Sequence, residues 1–233
     1  MRIHLTPYDI FHLRYWGAVA VKALSPDKAR LLCQESEGLE FKRREECTAT
    51  GVTQDFSGVD CYPPHSSFLR LVCETEIELR RNFRHWQDLF IRPLCFNDLS
   101  LQKYPVSNPN RQYAISPHVD HKNCINLVAV IVLKGSASFC VCKDRSGAEP
   151  LEIPARPGDL ILMRGFGFGG QDRPFHFVGP VSEERLTFGL RQTVDLKGLP
   201  RVSAQGGADG HAAAVDTNAL ADSHSRGRVL QHL

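Results

Sequence analysis

His118-Val119-Asp120 and, well downstream, His176 supply two imidazoles and a carboxylate from a chain of 233 residues. Residues i and i+2 of a strand point to the same face, so His118 and Asp120 can aim at one ion, whereas His121 points away and is discounted. A lone His-x-Asp arises readily by chance on a surface strand. A second histidine on a later strand completes a two-imidazole, one-carboxylate set, which suits Fe(II) and leaves coordination positions open. Arg185-Leu186-Thr187 follows shortly after His176. A bare metal site has no use for these residues, but a carboxylate brought into a barrel interior does. Guanidinium grips it bidentately, and a hydroxyl two residues on donates a further hydrogen bond. Gly189 and Arg191 share the facing of Arg185.

Such residues need strands to hold them. After Pro93 short runs follow one another: 99–104, 112–119, 125–133, 138–143, 160–163, 175–178 and 185–193. Turn signals separate most of them, among them Asn108-Pro109-Asn110, Lys134-Gly135, Arg145-Ser146-Gly147 and Pro157-Gly158-Asp159. Strands at short spacing without intervening helices predict an antiparallel sandwich or barrel over residues 95–193. Residues 1–94 are expected to form a helical and mixed support region. Ser25-Pro26-Asp27 reads as a helix start leading into Lys28–Glu35, with serine as cap and proline in the first turn. Ser66 or Ser67 opens a longer helix to about Phe90, with Phe68, Val72, Leu79, Phe83, Trp86 and Phe90 at helical spacing. Its arginines read as a solvated face rather than a nucleic-acid stripe. From about Val194 to residue 233 small and polar residues dominate, too poor in apolar area to offset the entropy of ordering, so a disordered tail is expected. His211, His224 and His232 lie there at no ligand spacing.

Composition narrows the classes further. Hydrophobic residues make up 42% and charged residues 23%, as in ordinary globular proteins, and the net charge is only +2. Nothing in that balance demands nucleic acid or a membrane as partner. No stretch approaches the roughly 18 apolar residues of a membrane span. The eight cysteines are scattered, without a C-x-x-C pair, and read as reduced core thiols of a cytoplasmic protein. Cys140-Val141-Cys142, the one close pair, reads as strand packing.

The segment from about Leu99 to Thr193 resembles the double-stranded β-helix core, jelly-roll or cupin-like, of the Fe(II)/2-oxoglutarate-dependent oxygenases. The matching elements are Gln102-Lys103-Tyr104-Pro105, His118-Val119-Asp120, Pro157-Gly158-Asp159-Leu160, His176 and Arg185-Leu186-Thr187. They are similar to the family's N-x-Y-P, H-x-D, G-D-hydrophobic, distal H and R-x-S elements, with Gln102 in place of Asn and Thr187 in place of Ser. The resemblance implies a mainly β fold with N-terminal helices. It implies that His118, Asp120 and His176 bind Fe(II), that Arg185 and Thr187 hold the distal carboxylate of 2-oxoglutarate, and that Tyr104 or Gln102 lies near its metal-chelating end. It also implies O2 as co-substrate and oxidation of a C–H bond coupled to formation of succinate and CO2. Halogenating relatives carry Gly or Ala where Asp120 stands, so the carboxylate argues for hydroxylation, demethylation or desaturation.

A finer resemblance lies in Arg185–Gln192, which is similar to the R-x5-R segment of AlkB-type nucleic-acid demethylases. On that reading Arg191 also contacts the co-substrate. The absence of a base-gripping lid upstream favours a small-molecule, amino-acid-like substrate over a nucleic-acid or protein target. A cupin-like barrel that binds metal or ligand without turnover is the third alternative, and Arg185 counts against it. The Gly165–Gly170 run reads as a loop at the barrel mouth, with Phe166 or Phe168 as a substrate contact or as simple connection. Arg164 and Arg173 are candidates to meet an acidic substrate.

Overall fold

The computed structural model describes residues 1–44, 50–60, 62–63 and 65–195, so the expected tail lies, past residue 195, outside the described residues. The first half of the chain mixes helices with short strands: α1 (Pro7–Tyr15), β1 (Ala18–Lys22), α2 (Pro26–Ser36), β2 (Lys42–Arg43), β3 (Ser57–Val59) and α3 (Ser67–Asn82). The second half is almost all strand: β4 (Asp98–Tyr104), β5 (Ile115–His118), β6 (Cys124–Lys134), β7 (Phe139–Cys142), β8 (Leu151–Glu152), β9 (Asp159–Arg164), β10 (Phe175–Val178) and β11 (Arg185–Thr193). They form a seven-stranded sheet in the order β1-β9-β6-β11-β4-β3-β2 and a four-stranded sheet in the order β5-β10-β7-β8.

Alternation along the strands builds two cores. Along β6, Leu127, Ala129, Ile131 and Leu133 face the helices, while Val128 and Val132 face the smaller sheet. Strand β9 repeats this with Leu160 and Leu162 on one side and Ile161 and Met163 on the other. A sheet covered on both faces reads as a nearly unbroken apolar run, and these runs are what made the strands legible. The helix-side core gathers Leu13 of α1, Leu32 of α2 and Phe68, Leu71 and Leu79 of α3 against Phe188 and Leu190 of β11. Each fully buried side chain of this size stabilises the fold by roughly 1.5–3 kcal/mol.

The sheet extends past the expected core boundary at residue 95. Strand β1 adds to one edge through β9, and β3 with β2 adds to the other through β4. Beside β3, the stretch around Gln54 runs antiparallel to β5 through a bridge to Ile115. One segment therefore borders both sheets in turn.

The helix caps follow the sequence reading, but one helix length does not. Ser25 caps α2 and Ser66 caps α3 through their hydroxyls. Glu35 of α2 accepts from Ser66 Oγ at 2.6 Å and from the Ser67 amide at 2.9 Å, tying the two helices together. Contrary to the expected run to Phe90, α3 ends at Asn82 and the chain turns back through a 3₁₀ turn, Gln87–Leu89. Phe90 thus returns edge-on to Phe83 at 5.2 Å, and both rings meet Phe168. Helix α1 begins in a capping box formed by Thr6 and Asp9. It buries Ile10 and Leu13 and turns Tyr8, Phe11 and Tyr15 outward, followed by exposed Trp16. No helix among the described residues is long and apolar enough to cross a membrane.

Candidate active site

Strand β5 ends on His118, and β10 places His176 directly opposite it in antiparallel register. Asp120 follows two residues after the strand end. One ligand atom from each of His118, Asp120 and His176 lies within 4.8 Å of the others, the only such metal-capable cluster among the described residues. The two imidazole rings stand 4.3 Å apart at 52°. His118 Nδ1 faces the Ser116 carbonyl oxygen at 2.8 Å and His176 Nδ1 faces that of Pro174 at 3.2 Å. A carbonyl can only accept, so each Nδ1 carries the hydrogen and each Nε2 keeps its lone pair free for an ion.

Electrostatics set the same stage. Burial pulls the His176 pKa down to about 4, helped by the neighbouring His118, so its ring is neutral at physiological pH. Burial raises that of Asp120, but Arg191, His176, His118 and Arg173 outweigh it and leave the carboxyl below its usual range. Asp120 Oδ2 is buried without a hydrogen-bond partner among the described residues. Two free imidazole lone pairs and an orphaned carboxylate oxygen converging on one point fit a divalent cation. Arg173 braces the set from behind, donating to the Asp120 main-chain oxygen and to Asp172 Oδ1.

The opposite wall carries buried guanidinium, hydroxyl and phenol groups. In the β11–β4 register, Arg185 pairs with Tyr104, Thr187 with Gln102, Gly189 with Ser100 and Arg191 with Asp98. Leu186, Phe188 and Leu190 belong to the helix-side core, so the alternate residues of β11 face the barrel interior. Arg185 is 2% exposed and Thr187 fully buried. Among the described residues, Arg185 Nε and Thr187 Oγ1 have no hydrogen-bond partner, and no carboxylate lies within ion-pair distance of Arg185. A buried guanidinium without a counter-charge is costly, and burial accordingly lowers its pKa, with Tyr104 offsetting part of the effect. An incoming carboxylate would satisfy both orphaned groups.

Tyr104 and Gln102 fall elsewhere than the sequence suggested. Arg185 Cζ lies 5.3 Å from the centroid of the Tyr104 ring, and the Tyr104 hydroxyl donates to Gln102 Oε1 at 2.8 Å. Both therefore belong to the Arg185 end of the interior rather than to the metal-chelating end. Burial raises the Tyr104 pKa against the opposing pull of Arg185 and Arg191, keeping the phenol protonated as a donor. Arg191 is half-buried and sits among Asp120, Cys124, Asp98 and Tyr104; these neighbours hold its pKa up against burial.

Two expectations about the Gly-rich loop need correction, those on Phe168 and Arg164. Phe168 is fully buried against Phe83 and Phe90, so it is a packing residue and not a substrate contact. Phe166 is half-buried, its backbone bridged to Ile125. Arg164 turns toward α1, donating to the Arg14 carbonyl oxygen at 2.6 Å near the helix C-terminus, where a cation is favoured. Gly17, at φ 95°, allows this approach, since a Cβ there would lie 2.7 Å from Pro174 Cβ. Sequence reasoning missed Asp98 and Ser100, which alternation from Tyr104 along β4 turns inward.

No family model and no curated protein matches this sequence. Solved structures do. A prolyl-4-hydroxylase from Pseudomonas putida aligns at 15% identity over 80% of this chain and 98% of its own, with a TM-score of 0.58. HygX from Streptomyces hygroscopicus, solved with nickel and 2-oxoglutarate bound, aligns at 13% identity over 81% and 87%, with a TM-score of 0.54. A prolyl hydroxylase from Trichoplax adhaerens in complex with a hypoxia-inducible-factor peptide fragment aligns at 13% over 79% and 87%, with a TM-score of 0.53. The fold is the double-stranded β-helix that these structures share.

Proposed function

We propose that this chain is an Fe(II)- and 2-oxoglutarate-dependent oxygenase that hydroxylates, or otherwise oxidises, a C–H bond of a small organic or amino-acid-like substrate. One observation carries the reading: two sets of unsatisfied polar groups face each other across the barrel interior, one shaped for a cation and the other for a carboxylate. A barrel that held only a metal would leave Arg185 and Thr187 unexplained. The fold likeness to oxygenases, one of them with 2-oxoglutarate bound, supports the same reading.

In this reading His118 Nε2, His176 Nε2 and the Asp120 carboxylate hold Fe(II). Iron and 2-oxoglutarate bound there would let O2 oxidise both the co-substrate, released as succinate and CO2, and a substrate C–H bond, with one oxygen atom going to succinate and the other to the hydroxylated product. Arg185 and Thr187 grip the distal carboxylate, with the Tyr104 ring, its hydroxyl held by Gln102, standing beside the guanidinium. The apolar interior around them, Val128, Val132, Ile161 and Met163, excludes water and strengthens each of these interactions. Arg173 keeps the segment bearing Asp120 in place. Arg191, which the R-x5-R resemblance implies as a co-substrate contact, lies toward Asp120.

The test is spectroscopic. Under argon, protein with Fe(II) and 2-oxoglutarate is expected to show a visible charge-transfer band. Loss of the band in His176→Ala and Asp120→Ala, together with 2-oxoglutarate-dependent succinate release by the native chain on a substrate panel, would complete the support. A native protein without the band would refute the co-substrate assignment. A residue within a peptide is the second reading of the substrate, favoured by the peptide held in the Trichoplax structure.

A further inference from the structure

Arg191 and Asp98 are direct cross-strand partners on the inward face of the larger sheet. Opposite charges in that position ordinarily close on each other. Here they do not: neither side chain takes part in a hydrogen bond or ion pair with any described residue. Both are half-buried, so the open pair is not two side chains trailing in bulk solvent. Their neighbours leave room. Gly189 lies between Thr187 and Arg191 on the same face, where a Cβ would come within 3.7 Å of Arg191 Nη1, and the opposing residue is the small Ser100. The guanidinium therefore lies over nearly bare backbone, beside the cluster of His118, Asp120 and His176, with a carboxylate of its own held apart from it.

A guanidinium and a carboxylate held open at a site's edge present the complement of a zwitterion. We infer that Arg191 and Asp98 together read the α-carboxylate and α-ammonium groups of a free amino acid, placing its side chain toward the metal ligands. The inference rests on the oxygenase reading and deepens it by naming the substrate class. It assigns Arg191 to the primary substrate, leaving the co-substrate to Arg185 and Thr187. Charge-assisted hydrogen bonds of this kind are each worth roughly tenfold to a hundredfold in affinity.

The experiment uses the full chain and a panel of free L-amino acids, each compared with its N-acetyl and its C-amide derivative. Perturbation of the anaerobic Fe(II)–2-oxoglutarate band reports substrate arrival, and calorimetric titration of the same panel onto the metal-free chain reports the pair without iron. Absence of the band would count against the oxygenase reading, while calorimetry would still decide the pair. The expected result is that at least one free amino acid binds and that both capped forms bind about tenfold or more weaker. Asp98→Asn should then erase the penalty for N-acetylation and Arg191→Gln the penalty for amidation, with the 2-oxoglutarate requirement unchanged. A purely structural role would not produce that split. Three results would overturn the inference: no free amino acid binding in either assay; capped forms binding as well as free ones, which points to a peptide; or Arg191→Gln raising the 2-oxoglutarate requirement without touching amino-acid binding, which makes Arg191 a co-substrate ligand.

Discussion

The two walls of the barrel interior differ in what stands behind them. The seven-stranded wall is packed on its far side by helices, α1 on β1 and β9 and α2 on β6, and its outward residues merge into the larger core. The four-stranded wall carries His118 and His176, and the helix-side core draws no residue from β5, β7, β8 or β10. The proposed anion-binding groups thus sit on a doubly buried sheet, and the proposed metal ligands on a sheet of short strands. On the larger wall a polar residue facing inward is an exception that needs a reason. On the smaller wall the ligands depend on backbone carbonyls, those of Ser116 and Pro174, for their orientation.

Variants that hit one wall and spare the other test this division. The largest effect is expected from His176→Ala, which should reduce metal binding and 2-oxoglutarate-dependent succinate release to background while leaving the thermal midpoint near that of the native metal-free chain. Phe188→Ala attacks the outward face of the other wall, where the ring packs fully buried against Phe68 at 5.1 Å and Tyr62 at 5.8 Å. It should cost about 3–5 kcal/mol of stability by chemical denaturation, yet leave the metal affinity of the folded fraction unchanged. Arg185→Gln, on the inward face of the same strand, should do the reverse. Its 2-oxoglutarate KM should rise roughly tenfold to a hundredfold at little cost in stability, since the substitution removes a buried unpaired charge. Thr187→Val should raise that KM by only a few fold, in line with the roughly 1 kcal/mol of one neutral hydrogen bond, and Thr187→Ser should stay close to native.

The smallest effect should lie outside the barrel. Burial raises the Glu35 pKa, but hydrogen bonds from Ser66 and Ser67 and the nearby Arg70 outweigh it and hold the carboxyl below its ordinary 4.5. A group whose pKa is depressed on folding contributes stability that is present above its unfolded value and lost as pH falls through the folded one. Glu35→Gln should therefore lower the thermal midpoint slightly at neutral pH, with the difference from the native chain vanishing as pH falls below 4.5, as measured by thermal midpoints across a pH series.

Much of this was legible from the residues, for physical reasons. β6, β9 and β11 could be read because burial on both faces leaves them no choice of residue type, and the site residues stood out as polar exceptions at strand spacing. Helix α1 was not legible, because its exposed Tyr8, Phe11 and Tyr15 fill the face opposite Ile10 and Leu13 and erase the apolar period. Strands β2 and β3 are too short, at two and three residues, to show any alternation. Phe83 and Phe90 share a core cluster, which helical spacing suggested, but a turn of the chain and not a continuous helix brings them together. The place of Tyr104 beside Arg185 was not legible, because a motif gives order along the chain, whereas register between β4 and β11 decides position.

The aromatic face at the start of the chain has an optical consequence. The protein has two tryptophans, and both stand at the surface, Trp16 at 53% exposure and Trp86 at 37%. Its native emission is therefore expected near that of hydrated indole, with little shift in wavelength on unfolding, since both tryptophans are exposed. Trp16, however, adjoins Gly17, which lies against Pro174 beside His176. A fluorescence melt of this protein is therefore expected to follow the surroundings of two surface side chains and not the collapse of its core.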